Sequence, residues 1–64
     1  MNKDRQTIKA TPAYKIYHQK VVSECVKLMG EHNREFFDLE CDYIDEYLDK
    51  RDPAEVAQDQ LDAF

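Results

Sequence analysis

Apolar side chains recur at helical spacing along residues 12–29. One stripe consists of Tyr14, Tyr17, Val21, Cys25 and Leu28, and it is widened by Val22, Val26 and Met29. At about 100° per residue, these positions cover roughly half of a helix circumference. Such an arc is wider than the seam between two helices, so we expect this helix to contact more than one neighbour.

Residues 33–51 separate apolar and acidic positions more sharply. One broad face carries Phe36, Phe37, Leu39, Cys41, Tyr43, Ile44, Tyr47 and Leu48, and the opposite face carries Glu35, Asp38, Asp42, Asp45, Glu46 and Asp49. A single helix here would have a continuous acidic ridge along its back. Glu40 falls within the apolar face, where a carboxylate must be paired, hydrogen-bonded or protonated. Tyrosine hydroxyls of the same face, or a lysine of another subunit, are its candidate partners.

Start and stop signals delimit the helices. Thr11–Pro12 is an N-cap followed by proline at the first helical position, and Gly30, the only glycine, predicts the end of the first helix. Asp52–Pro53 repeats the start signal and predicts a short third helix over residues 53–63. The apolar side of that helix carries Val56, Ala57, Leu61 and Phe64.

These patterns predict an all-α protein. Helices over about 12–29 and 33–51 would form an antiparallel hairpin, with a short C-terminal helix over about 53–63. A chain of 64 residues forms at most one domain and buries little apolar surface. We therefore expect residues 11–64 to form a single helical domain that pairs with a second copy into a dimeric four-helix-type bundle.

Residues 1–10 are polar, and we expect them to form a flexible N-terminal arm. The alternative is a short strand, because Arg5, Thr7 and Lys9 alternate with less polar neighbours, which is the period of a β-strand. The two alternatives have different functional consequences, as the strand would present three polar side chains on one side.

Charge is distributed unevenly along the chain. The net charge is −5, yet residues 1–30 carry six basic and two acidic side chains, whereas residues 31–64 carry three basic and twelve acidic ones. This asymmetry indicates complementary packing between the halves, or two surfaces with different partners. No apolar stretch approaches the roughly 20 residues that span a bilayer, and the N-terminus lacks the apolar core of a secretory signal. We therefore expect a cytoplasmic protein without a membrane partner.

Residue types that carry out catalysis or bind metals are sparse. The spacings of the common zinc and di-iron motifs are absent, and Tyr43 stands where an EF-hand loop beginning at Asp38 would need glycine. One serine and one glycine provide neither an activated nucleophile nor a phosphate-binding loop. We therefore predict no catalytic residues, no metal and no cofactor, and we do not expect an enzyme.

The cysteines and one histidine fall within the apolar faces. Cys25 and Cys41 would lie at the same level of the hairpin, but packed helix axes are about 8–10 Å apart, which is too far for a disulfide. We expect both to be small core residues. His18 is expected to be a hydrogen-bonded residue of the core or an interface, and the alternative is a pH-sensitive interface histidine.

We predict a small acidic protein–protein interaction module, a regulator or inhibitor that binds a basic surface of another macromolecule. The acidic ridge and the neighbouring aromatic edges would make the contact. The candidate partner-binding residues are Asp38, Asp42, Tyr43, Asp45, Glu46, Tyr47 and Asp49. Two alternatives stay open, namely a ridge that only keeps the protein soluble, and a role as a small structural assembly subunit.

A further interpretation comes from the order Arg5-x-Thr7-x-Lys9, a proline-started helix, a glycine turn and a second helix. This order resembles the ribbon-helix-helix repressors and antitoxins. The resemblance implies that the strand pairs with that of a second subunit and places Arg5, Thr7 and Lys9 in the major groove of DNA. It also implies that the acidic segment after Asp52 resembles a toxin-binding tail. Nucleic acid is a partner only under this alternative.

Overall fold

The computed structural model describes the backbone of residues 2–63 and the side chains of residues 5–63. Every element within this part of the chain is a helix, which confirms the predicted all-α class. The elements are α1 (Asn2–Lys9), α2 (Pro12–Met29), a 3₁₀-helix (Glu31–Asn33), a π-helix (Phe36–Glu40), α3 (Ile44–Leu48) and α4 (Pro53–Ala63). Met1 and Phe64, the latter assigned to the third helix, lie outside the described residues.

Helix α2 has the bounds that the sequence predicted. At its start, the Thr11 hydroxyl accepts a hydrogen bond from the Tyr14 amide at 3.3 Å, and Pro12 occupies the first turn. At its end, Gly30 has a φ of +104°, which L-residues with a side chain rarely adopt. A β-carbon at Gly30 would lie 2.9 Å from the His32 ring, so both the backbone angle and the available space require glycine.

Helix α2 lies at the centre of the fold and contacts every other element. Its wide apolar arc had predicted more than one neighbour, which is confirmed. Its most extensive packing is against α4. The predicted hairpin would instead have paired α2 mainly with the chain that follows Gly30. The buried cluster between the elements consists of Val21, Val22, Cys25, Phe37, Tyr43, Val56 and Ala57.

The predicted continuous helix over residues 33–51 is wrong. The backbone is extended at Cys41, with φ −119° and ψ 152°, and does not return to an α-helix until after Tyr43. Two tyrosines compensate for the interruption. The Tyr43 amide donates to the Tyr14 hydroxyl at 3.0 Å, and the Tyr43 hydroxyl donates to the Phe37 carbonyl at 2.9 Å. Buried backbone groups at the break are thus hydrogen-bonded by side chains.

The strand alternative for residues 5–9 is wrong, because these residues belong to α1. Arg5 and Ile8 are half-buried and three positions apart, which is a helical spacing, and α1 contacts α2 and α3. The Thr11 hydroxyl, which caps α2, also donates to the Ile8 carbonyl at 2.7 Å. Tertiary contacts and this shared cap therefore override the short alternation in the sequence.

Candidate partner-binding surfaces

The seven predicted partner-binding residues do not form one continuous ridge. Because the chain is extended around Cys41, Asp38 lies on the π-helix whereas Asp45, Glu46 and Tyr47 lie on α3. The other three positions are Asp42 and Tyr43 in the extended segment and Asp49 immediately after α3. The break divides the predicted surface into parts with different environments.

The two tyrosines of this set are packed inside the fold. Tyr43 is 1% exposed, so its side chain is not on the surface that a partner would contact. Burial, reinforced by the neighbouring thiols of Cys25 and Cys41, raises the pKa of Tyr43 far above its ordinary value. Tyr47 is half-buried, and its ring makes edge-on contacts with two tyrosines of α2, at centroid distances of 5.4 and 5.5 Å. Both residues stabilise the packing against α2.

Asp38 is engaged with α2. Its Oδ1 lies 2.9 Å from His18 Nε2, and the same nitrogen lies 3.1 Å from the Asp38 carbonyl oxygen. His18 Nδ1 lies 3.2 Å from the Tyr14 hydroxyl, and the Gln19 amide donates to Asp38 Oδ1 at 3.4 Å. Both ring nitrogens of His18 are occupied, so neither is open to a metal or a substrate. The predicted hydrogen-bonded place of His18 in the apolar arc is confirmed.

The acidic side of α3 holds a guanidinium from α1. Arg5 donates to Asp45 Oδ1 at 3.0 Å and to Asp42 Oδ1 at 3.3 Å. The hydrogen bond that Arg5 donates to Asp45, together with the charges of both carboxylates, raises the pKa of Arg5. At this point the basic first half of the chain packs against the acidic second half, as the charge asymmetry indicated.

The helical conformation of α1 removes the structural basis of the ribbon-helix-helix interpretation. That resemblance required Arg5, Thr7 and Lys9 to project from a strand, but the three residues lie on α1. Arg5, moreover, faces two carboxylates of its own chain. The alternation on which the resemblance depended is therefore not a structural feature of the protein.

Asp45 and Leu48 of α3, and Asp49 directly after its end, lie on one exposed side. Their spacing of three and four positions makes them neighbours on a helix surface. The Asp45 side chain is 74% exposed despite its contact with Arg5, Leu48 is 56% exposed, and Asp49 is also exposed. Glu46 is half-buried. The sequence had assigned Leu48 to the core, so the structure adds an apolar side chain to the predicted acidic surface.

The sequence pattern placed Glu40 within the apolar face, but in the structure its side chain is exposed. The π-helix has hydrogen bonds from i to i+5, so its side chains are displaced from the positions of a regular α-helix. Leu39, which the helical pattern placed in the core, is 70% exposed for the same reason. The segment around these residues therefore presents apolar and acidic side chains together.

Cys25 is buried and Cys41 is half-buried, and their predicted place in the core is confirmed. Burial is the main cause that raises the thiol pKa of both residues. A thiol with a raised pKa is a poor nucleophile and a poor metal ligand at neutral pH. Among the described residues, no group of three or more His, Cys, Asp or Glu side chains is placed to hold a metal ion.

A groove between α2 and the start of α4 has no counterpart in the sequence predictions. It encloses about 810 Å³, and its lining includes Lys15, Ile16, Lys20 and Lys27. A second depression of about 440 Å³ shares Ile16 and Lys20 and extends towards Lys50. The one available signal was Ile16, an apolar residue outside the apolar stripe of α2, which is 59% exposed.

Comparisons with known proteins give no relationship from which function could be transferred. No protein-family model matches the chain, and neither a curated protein nor a solved structure shows significant similarity to it. Within the described residues, no helix has both the length and the apolar character needed to cross a lipid bilayer. Function is therefore inferred from the surfaces described above.

Proposed function

We propose that this chain is a non-enzymatic protein-binding module, a regulator or inhibitor, that binds a basic surface of another protein through α3. The observation that carries this proposal is the position of the Arg5 guanidinium between Asp42 and Asp45, together with the exposed Leu48 three positions after Asp45 on α3. Arg5 serves as an internal example of the group that a partner would bring to these carboxylates.

The two kinds of side chain on α3 contribute differently to binding. Burying an exposed leucine gains about 1.5–3 kcal/mol, whereas a solvent-exposed ion pair contributes about 0–1 kcal/mol. Leu48 would therefore supply most of the affinity. Asp45 and Asp49 would orient a basic partner and disfavour an acidic one.

The first test uses a synthetic helical peptide with arginines on both sides of a leucine stripe, titrated into ¹⁵N-labelled protein. We expect amide shift changes concentrated in residues 42–49. The double variant Leu48→Ala with Asp49→Asn should bind about tenfold more weakly, which corresponds to the loss of one buried leucine side chain.

Helix α4 offers a matched control for that variant. Leu61 and Asp62 are likewise an adjacent leucine and aspartate in exposed positions. Leu61→Ala with Asp62→Asn should bind the peptide as tightly as the wild type does. Equal affinity of the two double variants for the peptide would contradict the proposal.

Arg5→Ala gives an independent measurement. Because Arg5 competes for Asp42 and Asp45 within the chain, its removal should strengthen peptide binding by about two- to fivefold, the scale of an exposed ion pair. Weaker binding after this substitution would show that the Arg5 contact supports the surface rather than competes for it.

A further inference from the structure

We infer that two copies of this chain form a two-fold dimer in which Phe36 and Leu39 of each copy dock into the lysine-lined groove of the other. This contact is distinct from the α3 surface of the proposed function. It gives the predicted homodimer a different geometry from a paired hairpin bundle. The inference depends on the chemical match between two surfaces of the same chain and on their relative position.

The groove combines an exposed apolar side chain with basic ones. Ile16 lines both the main groove and its extension, so its side chain is shared by the two depressions. Among the side chains that the structure describes, Lys15 and Lys20 take part in no ion pair, while Lys27 is paired with Glu24 at 3.3 Å. An occupant that brings apolar and anionic groups would therefore complement the groove.

The segment of residues 31–40 has this composition. It carries four carboxylates and one arginine, and Arg34 is paired with Glu31 at 2.8 Å. Glu35 and Glu40 are exposed and form no ion pair with any side chain of residues 5–63. Phe36 and Leu39, both exposed and within one turn of each other, supply the apolar contact.

The two surfaces are neighbours on the molecule. Lys15 and Gln19 line both the groove and a neighbouring cleft, and the lining of that cleft also includes Asp38 and Leu39. In a two-fold dimer, any contact from one surface to the other is repeated in the opposite sense. One such arrangement can therefore fill both grooves at once, and it closes without leaving a free groove for a third copy.

A nucleic-acid occupant fits these observations less well. The net charge of −5 and the carboxylates of Glu24 and Asp52 in the groove lining oppose a continuous row of phosphates more strongly than a segment whose unpaired carboxylates, among the described side chains, are only Glu35 and Glu40. The leucine and phenylalanine of the segment have no counterpart in a phosphate backbone, whereas Ile16 is an apolar complement for them. A second copy of this chain provides both the apolar side chains and the carboxylates that complement the groove.

Charge reversal provides a decisive test. A groove variant carries Lys15→Glu with Lys20→Glu, and a segment variant carries Glu35→Lys with Glu40→Lys. Each variant alone places like charges at both contacts of its dimer, so we expect its dimer dissociation constant, measured by sedimentation velocity, to rise at least about tenfold. An equimolar mixture restores attraction at both contacts, so we expect a heterodimer to form.

Two leucines provide the matched apolar comparison. Leu39→Ala should weaken the dimer about a hundredfold, because one buried leucine, worth about tenfold, is lost at each of the two contacts. Leu28→Ala, at an exposed leucine of α2 that lines neither depression, should leave the dimer unchanged. Helicity measured by circular dichroism identifies any variant that fails to fold. The peptide titration against α3 is measured on the same variants, so failure of the dimer leaves the proposed function separately testable.

Several results would overturn the inference. A wild-type chain that stays monomeric at millimolar concentration would do so. A dimer that tolerates both charge-reversed variants, or a mixture of the variants that stays monomeric, would do so as well. Binding of an acidic peptide or of single-stranded DNA to Lys15 and Lys20 of a monomeric wild type would assign the groove to a different occupant.

Discussion

The α2–α4 pair and the segment from Glu31 to Leu48 are both rich in apolar residues, yet they are built in different ways. The pair consists of two regular helices whose buried side chains include Val21, Val22 and Val56. The segment changes from a 3₁₀-helix to a π-helix, becomes extended and returns to an α-helix, and its largest buried side chains are aromatic.

The difference shows what an irregular backbone needs in order to be buried. Aliphatic side chains cannot satisfy backbone groups, so α2 and α4 keep their hydrogen bonds within each helix. In the segment, two backbone groups near the break are hydrogen-bonded by tyrosine hydroxyls, one from Tyr14 of α2 and one from Tyr43 itself. The broken region thus depends on a few specific hydroxyls, whereas the regular pair depends on packing.

The largest expected effect comes from Phe37, which joins the two regions in the core. Phe37→Ala should lower the free energy of unfolding by about 3–5 kcal/mol, because it removes a buried ring and leaves a cavity. Leu39→Ala, two positions away and exposed, should change it by less than about 0.5 kcal/mol at concentrations where the chain is monomeric. Urea denaturation measures both. Comparable losses would show that the segment is not anchored at Phe37.

Alkaline pH should destabilise the protein through buried or half-buried thiols and a buried phenol, namely Cys25 on α2 and Cys41 and Tyr43 in the broken segment. Burial raises the pKa of Cys25 and Cys41 above 9.0 and that of Tyr43 above 10.0. The unfolded chain releases these protons near the ordinary values, whereas the folded chain retains them. Stability is therefore complete below about pH 8 and falls progressively as pH rises through the ordinary pKa values of thiols and phenols.

Urea midpoints between pH 7 and pH 11 test this dependence. Tyr43→Phe should make the decline shallower, because it removes one of the titrating groups. A midpoint that rises with pH above 9, or one unaffected by Tyr43→Phe, would contradict the assignment of the alkaline effect to these buried groups.

A smaller effect compares one hydroxyl from each region. Tyr43 donates to the Phe37 carbonyl inside the core, and Tyr17 donates to the Arg51 carbonyl, also at 2.9 Å, in a half-buried position next to α4. Tyr43→Phe should cost about 1–3 kcal/mol, since the carbonyl is left unsatisfied, and Tyr17→Phe less than about 1 kcal/mol, since water can replace it. Thermal unfolding gives the order. The reverse order would mean that the α2–α4 pair is the region that depends on a hydroxyl.

The smallest expected effect lies at the junction between the regions. Lys50 has a φ of +58°, an angle that glycine adopts more easily than lysine. Lys50→Gly should stabilise the protein by about 0.5–1 kcal/mol, and Lys50→Ala, which keeps the strain, should not. Equal stability of the two variants would show that the backbone angle at Lys50 does not lower the free energy of unfolding.

The regular pair could be predicted from sequence because its signals are local. Thr11–Pro12, Gly30 and Asp52–Pro53 fix the bounds of α2 and the start of α4 within a few residues of chain. The break was missed although residues 37–43 alternate apolar and acidic, a period that suits an extended chain. The helical periodicity of the longer stretch 33–51 obscured this local alternation. The break is stabilised by the hydroxyl of Tyr14, which lies 29 positions before Tyr43 and accepts a hydrogen bond from its amide.

The candidate surfaces were predicted only in part for the same reason. The carboxylates of α3 could be identified from composition, but the pairing of Arg5 with Asp45 spans 40 positions and follows from the packing of α1. The exposure of Leu48 and Leu39 follows from the break, because a continuous helix would have turned both towards the core. Side chains at irregular backbone therefore account for most of the differences between sequence and structure.

The central position of α2 has a consequence for how the molecule opens. Since α2 contacts every other helix, its amides become accessible to solvent only when most of the structure has separated. Its slowest hydrogen-exchange rates should therefore report the global free energy of unfolding, whereas α1 should exchange through local fraying. In a chain of this size, one helix would then act as the common hub of a single cooperative unit.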